Sequence, residues 1–135
     1  MRFLILASLL SGCGGSLGTG SYAAPIADPG FDRVVPVGEA ITIDGIRSCD
    51  PEGGSLTFQW SLLSKPEGSQ TTVTQGGVQL VITPDTAGDY LLELVVQNGE
   101  RSSHPAYALV SATTDSGSWT TGGGPGTTDR CGNPF

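Results

Sequence analysis

Residues 55–62 read SLTFQWSL, and this stretch decides the fold. Apolar and polar side chains alternate strictly along it, so an extended chain presents one apolar face and one polar face. The apolar face consists of Leu56, Phe58, Trp60 and Leu62. Because tryptophan carries a large apolar area, Trp60 in this phase is expected in a hydrophobic core rather than on a sugar-stacking surface. The stretch therefore predicts a β-strand that is buried on one side.

Further short strands are predicted on either side of this stretch. They cover residues 39–44, 71–74, 78–83, 90–97 and 106–112, of which 71–74 has the weakest pattern. Asn98-Gly99 is a hairpin signal before the last strand. Short strands about ten residues apart, separated by Gly, Pro and Asp turns, are typical of a β-sandwich. The fold class is therefore predicted to be all-β, an antiparallel β-sandwich with one core.

The first residues are predicted to be a processing signal and not part of the fold. Residues 3–10 read FLILASLL, an apolar run that is too short to span a bilayer as a helix. The run leads into Leu10-Ser11-Gly12-Cys13, which resembles the bacterial lipobox, where a cysteine is acylated and becomes the new N-terminus. The resemblance implies a lipoprotein signal peptide at residues 1–12 and a stable lipid anchor at Cys13. The alternative is an ordinary secretory signal followed by a chance cysteine.

Glycine-rich segments flank the predicted domain, which spans residues 25–112. Residues 13–24 hold Cys13 followed by GGSLGTGSYAA, the composition of a flexible linker. Gly14 stands where lipoproteins kept in the inner membrane tend to carry aspartate, so the resemblance implies export to the outer membrane, if the cell has one. Residues 113–135 form a Gly/Thr-rich tail that is predicted to be mostly without fixed structure.

Besides the tryptophan strand, the middle of the chain contains four characteristic segments: Pro25-Ile26-Ala27-Asp28, Ser48-Cys49-Asp50-Pro51-Glu52-Gly53, Lys65-Pro66-Glu67-Gly68-Ser69 and Asp85-Thr86-Ala87-Gly88-Asp89-Tyr90. In their order and spacing these segments resemble the PKD (polycystic kidney disease) family of extracellular immunoglobulin-like domains. The resemblance implies an immunoglobulin-like sandwich in which the Tyr90 hydroxyl bonds back to upstream backbone at the corner before its strand. Leu92 stands where antibody domains have a cysteine, so no disulfide is expected between the sheets.

The three cysteines divide into one lipid site and one possible pair. If Cys13 is lipidated, Cys49 and Cys131 remain, and an even number in an oxidising compartment suggests a disulfide. Such a bond would fold the tail back along the domain. The alternative is two thiols that are free or pair between molecules, since sequence cannot test the Cα separation that a disulfide requires.

Four acidic residues occur in loops that can converge at one end of the sandwich: Asp28, Asp44, Asp50 and Glu52. Carboxylate oxygens suit Ca²⁺, and some members of the resembled family bind calcium. The spacing is not that of an EF-hand, and Asp-Pro-Glu-Gly is also an ordinary turn sequence, so turn formation is the preferred interpretation. No other cofactor is expected.

The composition excludes several classes of function. Six Lys and Arg residues against 13 Asp and Glu give a net charge of −7, which argues against nucleic-acid binding. The single histidine, His104, precedes a proline, and no catalytic motif accompanies it. We therefore expect no enzyme but a lipid-anchored binding or spacer module that engages protein or glycan at the cell envelope. The alternatives are an accessory part of an extracytoplasmic polysaccharide- or protein-degrading system and a structural envelope protein without a specific ligand.

Overall fold

The SLTFQWSL stretch forms a strand over Thr57–Ser64, which pairs antiparallel with the strand Gly88–Gln97. The structure is a computed structural model that describes residues 23–115 and 126–135. The predicted signal peptide, the lipid site Cys13 and nearly all of the linker lie outside the described residues.

Within the described residues, seven strands form two sheets. They are β1 (Arg33–Pro36), β2 (Ile41–Asp44), β3 (Thr57–Ser64), β4 (Val73–Gly76), β5 (Gln79–Ile82), β6 (Gly88–Gln97) and β7 (Ala106–Thr113). The strand order is β1-β7-β6-β3 in one sheet and β2-β5-β4 in the other. This is the all-β sandwich that the alternation predicts. In the described part of the chain, no helix has the length and apolar character needed to cross a membrane.

The core between the sheets is built from side chains that alternate along their strands. Trp60 is 2% exposed and lies in this core. The largest completely buried side chains around it are Ile43, Leu80, Ile82, Tyr90, Leu92, Leu94, Val96 and Val110. The indole Nε1 of Trp60 donates a hydrogen bond to the carbonyl of Gly77 at 3.2 Å, so burial leaves this polar atom satisfied.

β1 is the strand that the sequence pattern does not predict. Its four residues, RVVP, include a single buried side chain, Val35, so no alternation identifies them. β1 pairs with β7 in parallel, with Arg33 opposite Val110, whereas the other strand pairs are antiparallel. Parallel neighbours require a long connection along the chain, and here the connection from β1 to β7 contains the five other strands.

Two other predicted elements differ in their limits. The weak strand at 71–74 is displaced to Val73–Gly76. The Asn98-Gly99 signal belongs to a turn that is closed by a bridge between Gln97 and Ser102, and Gly99 adopts a φ of +95° within it. The chain does reverse at the predicted place, but the last strand begins only at Ala106.

A tyrosine corner closes the end of the sandwich at which β6 begins. The Tyr90 hydroxyl donates to the carbonyl of Thr86 at 2.8 Å and accepts from the Thr86 backbone N–H at 3.1 Å. This is the contact with upstream backbone that the family resemblance implies. At the start of the strand, Gly88 has a φ of +134°, and a Cβ there would lie 2.7 Å from Cγ of Pro66. A side chain at this position would therefore be disfavoured both by the positive φ and by the clash with the Pro66 ring.

Candidate binding site

One side of the sandwich, where β3 approaches β4, is closed by side chains. The amide of Gln75 on β4 reaches the backbone of Trp60 on β3: its Nε2 donates to the Trp60 carbonyl at 2.8 Å, and its Oε1 accepts from the Trp60 N–H at 3.3 Å. The side chain thus substitutes for a neighbouring strand on part of this edge. An edge occupied in this way is protected against pairing with another chain.

The other side, between β1 and β2, is open and holds a cleft of about 320 Å³. The cleft is lined chiefly by Phe31, Arg33, Thr42, Asp44, Arg47 and Gln79. We call it the β1–β2 cleft. Its residues come from the edge strands β1 and β2, from the start of the central strand β5, and from the loops before β1 and after β2. It is a concave surface at the seam of the sandwich, and its volume lies at the lower end of the ~300–1,000 Å³ range of small-ligand sites.

Two arginines and two exposed apolar side chains determine the chemistry of the cleft. The guanidinium of Arg47 lies 5.0 Å from the ring centroid of Phe31, a cation–π contact. Phe31 and the neighbouring Ile46 are 38% and 48% exposed. The Nε atom of Arg33 is buried and has no hydrogen-bond partner within the described residues. The cleft therefore combines an apolar wall with an unsatisfied cationic donor.

A buried carboxylate holds one wall of the cleft in place. Asp28 is 3% exposed and forms ion pairs with both Arg47 and Arg130. Arg47 Nε lies 3.2 Å from the Asp28 carboxylate without hydrogen-bonding alignment, whereas Arg130 Nε donates to the same oxygen. Because a buried charge is costly unless it is paired, this triad fixes the position of Arg47. The backbone N–H of Asp28 donates to Ser48 Oγ at 2.9 Å, which ties the triad to the turn after β2.

The end of the tail is fastened beside this triad. Cys49 and Cys131 form a disulfide with a Cα–Cα distance of 6.0 Å. The backbone N–H of Arg130 also donates to the carbonyl of Arg47 at 2.9 Å, and Asp129 accepts hydrogen bonds from the backbone of Cys131 and Asn133. The prediction of a tail without fixed structure is therefore wrong for residues 126–135. The composition suggests flexibility, but the disulfide and the backbone contacts hold this end against the domain.

The four candidate calcium ligands do not form one site. Asp28 belongs to the arginine triad, and Asp44 accepts from the Ile46 N–H and from the Gln79 side chain. Asp50 accepts from the N–H groups of Glu52 and Gly54. Each of these aspartates thus serves its own turn or ion pair.

The hydrogen bonds at Asp50 also affect its titration. The Glu52 backbone N–H is the main cause of the lowered pKa of Asp50; burial opposes it, and the Asn98 side chain and Gly54 N–H add to it. Within the described residues, the one group of three potential ligands within 4.8 Å of each other is Cys49, Asp129 and Cys131. Its two sulfur atoms are joined in the disulfide, so they are not thiolate ligands.

The carboxylate of Asp85 occupies a structural position. Asp85 lies at the tyrosine corner and accepts from Ser69 Oγ at 2.6 Å, from the Gln70 N–H at 2.7 Å and from Thr71 Oγ1 at 2.9 Å. The Ser69 hydroxyl in particular lowers the pKa of Asp85 strongly; burial works in the opposite direction. A carboxylate held ionised by several donors is a poor general acid.

His104 is exposed and lines a shallow depression of about 160 Å³. The other lining residues are Pro25, Ile26, Ala27, Pro105 and Ala106. None of these carries a side-chain group that could orient the imidazole or exchange a proton with it. The depression therefore lacks the side chains of a hydrolytic centre.

Apart from Asp44, which the sequence analysis names as a possible calcium ligand, the residues of the β1–β2 cleft are not predicted by the sequence pattern. Phe31, Arg33 and Arg47 come from separate segments that only the folded topology brings together. The one available signal was charge: three of the six Lys and Arg residues in an acidic chain, Arg33, Arg47 and Arg130, surround this region.

The architecture and its tyrosine corner give the described part of the chain a PKD-like immunoglobulin fold. No protein-family model and no curated protein sequence matches the chain. Solved structures do: the PKD domain of the KIAA 1837 protein aligns over 78% of this chain and 100% of its own, with 21% identity and a TM-score of 0.56.

A nucleoside hydrolase-related hypothetical protein from Saccharophagus degradans also shares the fold. It aligns over 68% of this chain at 16% identity, with a TM-score of 0.57. The aligned part is only 26% of that protein's length, so this chain corresponds to a small part of it. At these identities both similarities concern the fold alone.

Proposed function

We propose that this protein is a lipid-anchored binding module of the cell envelope and not an enzyme. In this proposal the chain is exported, Cys13 carries the lipid, the glycine-rich linker lifts the sandwich from the outer membrane, and the sandwich engages an envelope glycan or protein. The lipobox-like Leu10-Ser11-Gly12-Cys13 supports the anchor.

The observation that carries the binding role is the β1–β2 cleft. It combines exposed apolar surface with Arg33, a cation that has no carboxylate partner among the described residues, and this combination suits ligand binding. A catalytic role has less support, because the Asp85 and Asp50 carboxylates accept hydrogen bonds from neighbouring groups and His104 lies among aliphatic side chains. An accessory role in polysaccharide degradation is the second candidate, since the similar Saccharophagus degradans protein is described as associated with carbohydrate metabolism.

The attachment of the linker supports a pendant arrangement of the domain. The Ala23 N–H donates to Glu52, and Ile26 pairs with Cys49 through backbone hydrogen bonds of 2.8 and 3.0 Å. The linker therefore joins the domain beside Cys49, near the point where the disulfide fastens the tail. Lipid and tail would both be connected at this one end, which leaves the tyrosine-corner end directed away from the membrane.

Fractionation of cells that express the full chain tests the anchor. We expect the wild type in the membrane fraction and Cys13→Ala in the soluble fraction. Cys131→Ala is the matched control, because it removes a cysteine without removing the lipid site, and it should remain with the membranes. Membrane retention of Cys13→Ala would contradict the anchor.

Binding is tested with the full chain, purified in detergent and immobilised, by exposing it to solubilised envelope glycans and proteins. We expect a retained component that is lost when Phe31 in the cleft is changed to alanine. A component that binds equally well to Phe31→Ala would place the binding surface elsewhere on the domain.

A further inference from the structure

We propose that the β1–β2 cleft recognises an acidic carbohydrate, a sugar unit that carries a single carboxylate. The inference rests on the proposed binding role and names the ligand class for that site. It follows from three properties of the cleft: an unpaired guanidinium, a nearly balanced local charge, and polar side chains beside an apolar wall.

The first property is the state of Arg33. Within residues 23–115 and 126–135, no carboxylate oxygen lies within 4.0 Å of its guanidinium nitrogens, and its buried Nε has no acceptor. The parallel pairing of Arg33 with Val110 fixes the backbone from which this side chain extends. The buried Nε itself is out of a ligand's reach, but Arg33 lines the cleft, so a bound carboxylate can pair with the part of the guanidinium that faces it. The planar guanidinium fork matches the two oxygens of a carboxylate.

The second property is the charge of the surrounding groups. Arg47 and Arg130 share the single carboxylate of Asp28, so this triad keeps one net positive charge, and Arg33 adds a second. Asp44 adds a negative charge to the lining of the cleft. The cleft region therefore has one net positive charge, which a single carboxylate balances, whereas the further charges of a sulfated or phosphorylated chain would have no partner and would be repelled by Asp44.

The third property is the arrangement of neutral polar groups. Gln79 Nε2 donates to Asp44 at 3.2 Å, which leaves the Gln79 carbonyl oxygen and one further N–H for a ligand, and Thr42 adds a hydroxyl to the same lining. Sugar hydroxyls both donate and accept, so they can use this mixed set. Exposed Phe31 and Ile46 can cover the apolar C–H face of a sugar ring.

An acidic peptide fits the same cleft less well. An Asp or Glu side chain would pair with Arg33, but it has no hydroxyl groups for Thr42, Asp44 and Gln79. The edge strand β2 beside the cleft is four residues long, which offers little backbone for a peptide to extend. The observations therefore favour a carbohydrate over a peptide.

Calorimetric titration of the full chain tests the proposal with three probes: galacturonate, a glucuronate-containing disaccharide and an oligoglutamate peptide. We expect at least one uronate to bind, with affinity falling as salt is raised. Arg33→Gln should weaken binding by about tenfold or more, because it removes a charge-assisted pair. Arg101→Gln makes the same charge change at an exposed position outside the cleft and should bind like the wild type.

Each of these results tests the ligand class and leaves the proposed anchor and binding role untouched. Failure of both uronates to bind, unchanged binding by a folded Arg33→Gln protein, or tighter binding of oligoglutamate would overturn it. If Arg33→Gln loses the sandwich signal in circular dichroism, nuclear magnetic resonance mapping of the wild type replaces it, and uronate shifts outside the cleft overturn the inference. The membrane anchor and the capture of another envelope component would stand in all of these cases.

Discussion

Reduction of the Cys49–Cys131 bond is expected to lower the free energy of unfolding by about 4.5 kcal/mol. The two cysteines are separated by 82 positions, and the chain-entropy relation for closing a loop of that length gives this value at 25 °C. Domains of this kind are typically stable by about 5–15 kcal/mol, so the bond accounts for a large share of the total.

The native contacts around the bond indicate that the sandwich survives its loss. The strands and the core lie between Arg33 and Thr113, so reduction removes no strand pairing. The Arg130 N–H to Arg47 carbonyl contact and the pair with Asp28 can still hold the tail. The main effect is therefore on the unfolded chain, which gains conformational freedom when the loop is opened.

The measurement is urea unfolding of one preparation with and without a phosphine reductant, followed by far-ultraviolet circular dichroism. Cys131→Ala is the control, since it should match the reduced wild type in stability and should not respond to reductant. A loss smaller than about 1.5 kcal/mol would refute the reasoning, because it would mean that closing this loop hardly restricts the unfolded state.

Three other changes test the core, the tyrosine corner and its carboxylate. Trp60→Ala should cost about 3–5 kcal/mol in urea unfolding, whereas Tyr107→Ala, at a side chain 51% exposed, should have a small effect. Gly88→Ala should destabilise the domain more than Gly99→Ala, because both have positive φ but only the first adds a clash with the proline ring; equal losses would contradict this. The pKa of Asp85 lies below its ordinary value of 3.8, so its ionised form stabilises the fold above that pH and this contribution is lost on acidification. Asp85→Asn should therefore be less stable than the wild type at pH 7, and the difference should narrow below about pH 4 in the same unfolding assay; a constant difference would contradict the assignment.

The strands that bury one face could be predicted from the sequence, because alternation reports burial directly. In β3 and β6 each apolar position of the pattern packs on the core, as Trp60 and Leu94 illustrate. The disulfide could be anticipated from the cysteine count, although the alternative of free thiols required a structure to decide. β1 could not be predicted, since a short edge strand with one buried residue leaves no periodic signal.

The candidate site could not be predicted for a different reason. Arg33 and Phe31 belong to no recognisable sequence motif. Each contributes to the cleft only because the fold places residues from other segments beside it. For the acidic residues the sequence left two interpretations open, because a loop carboxylate can bind a cation or its own backbone. In Asp44 and Asp50 the backbone N–H groups of the following residues are the partners.

The joint fastening of both chain ends at Cys49 has a mechanical consequence. A force applied between the membrane anchor and the end of the tail would pass from Ile26 along the chain to Cys49, and then through the disulfide to Cys131. The segment between the two cysteines, which contains β3 to β7, would lie outside this covalent path. Under tension the covalent path could lengthen only before Cys49 and after Cys131, so in the oxidised domain β3 to β7 would carry no load along their own backbone.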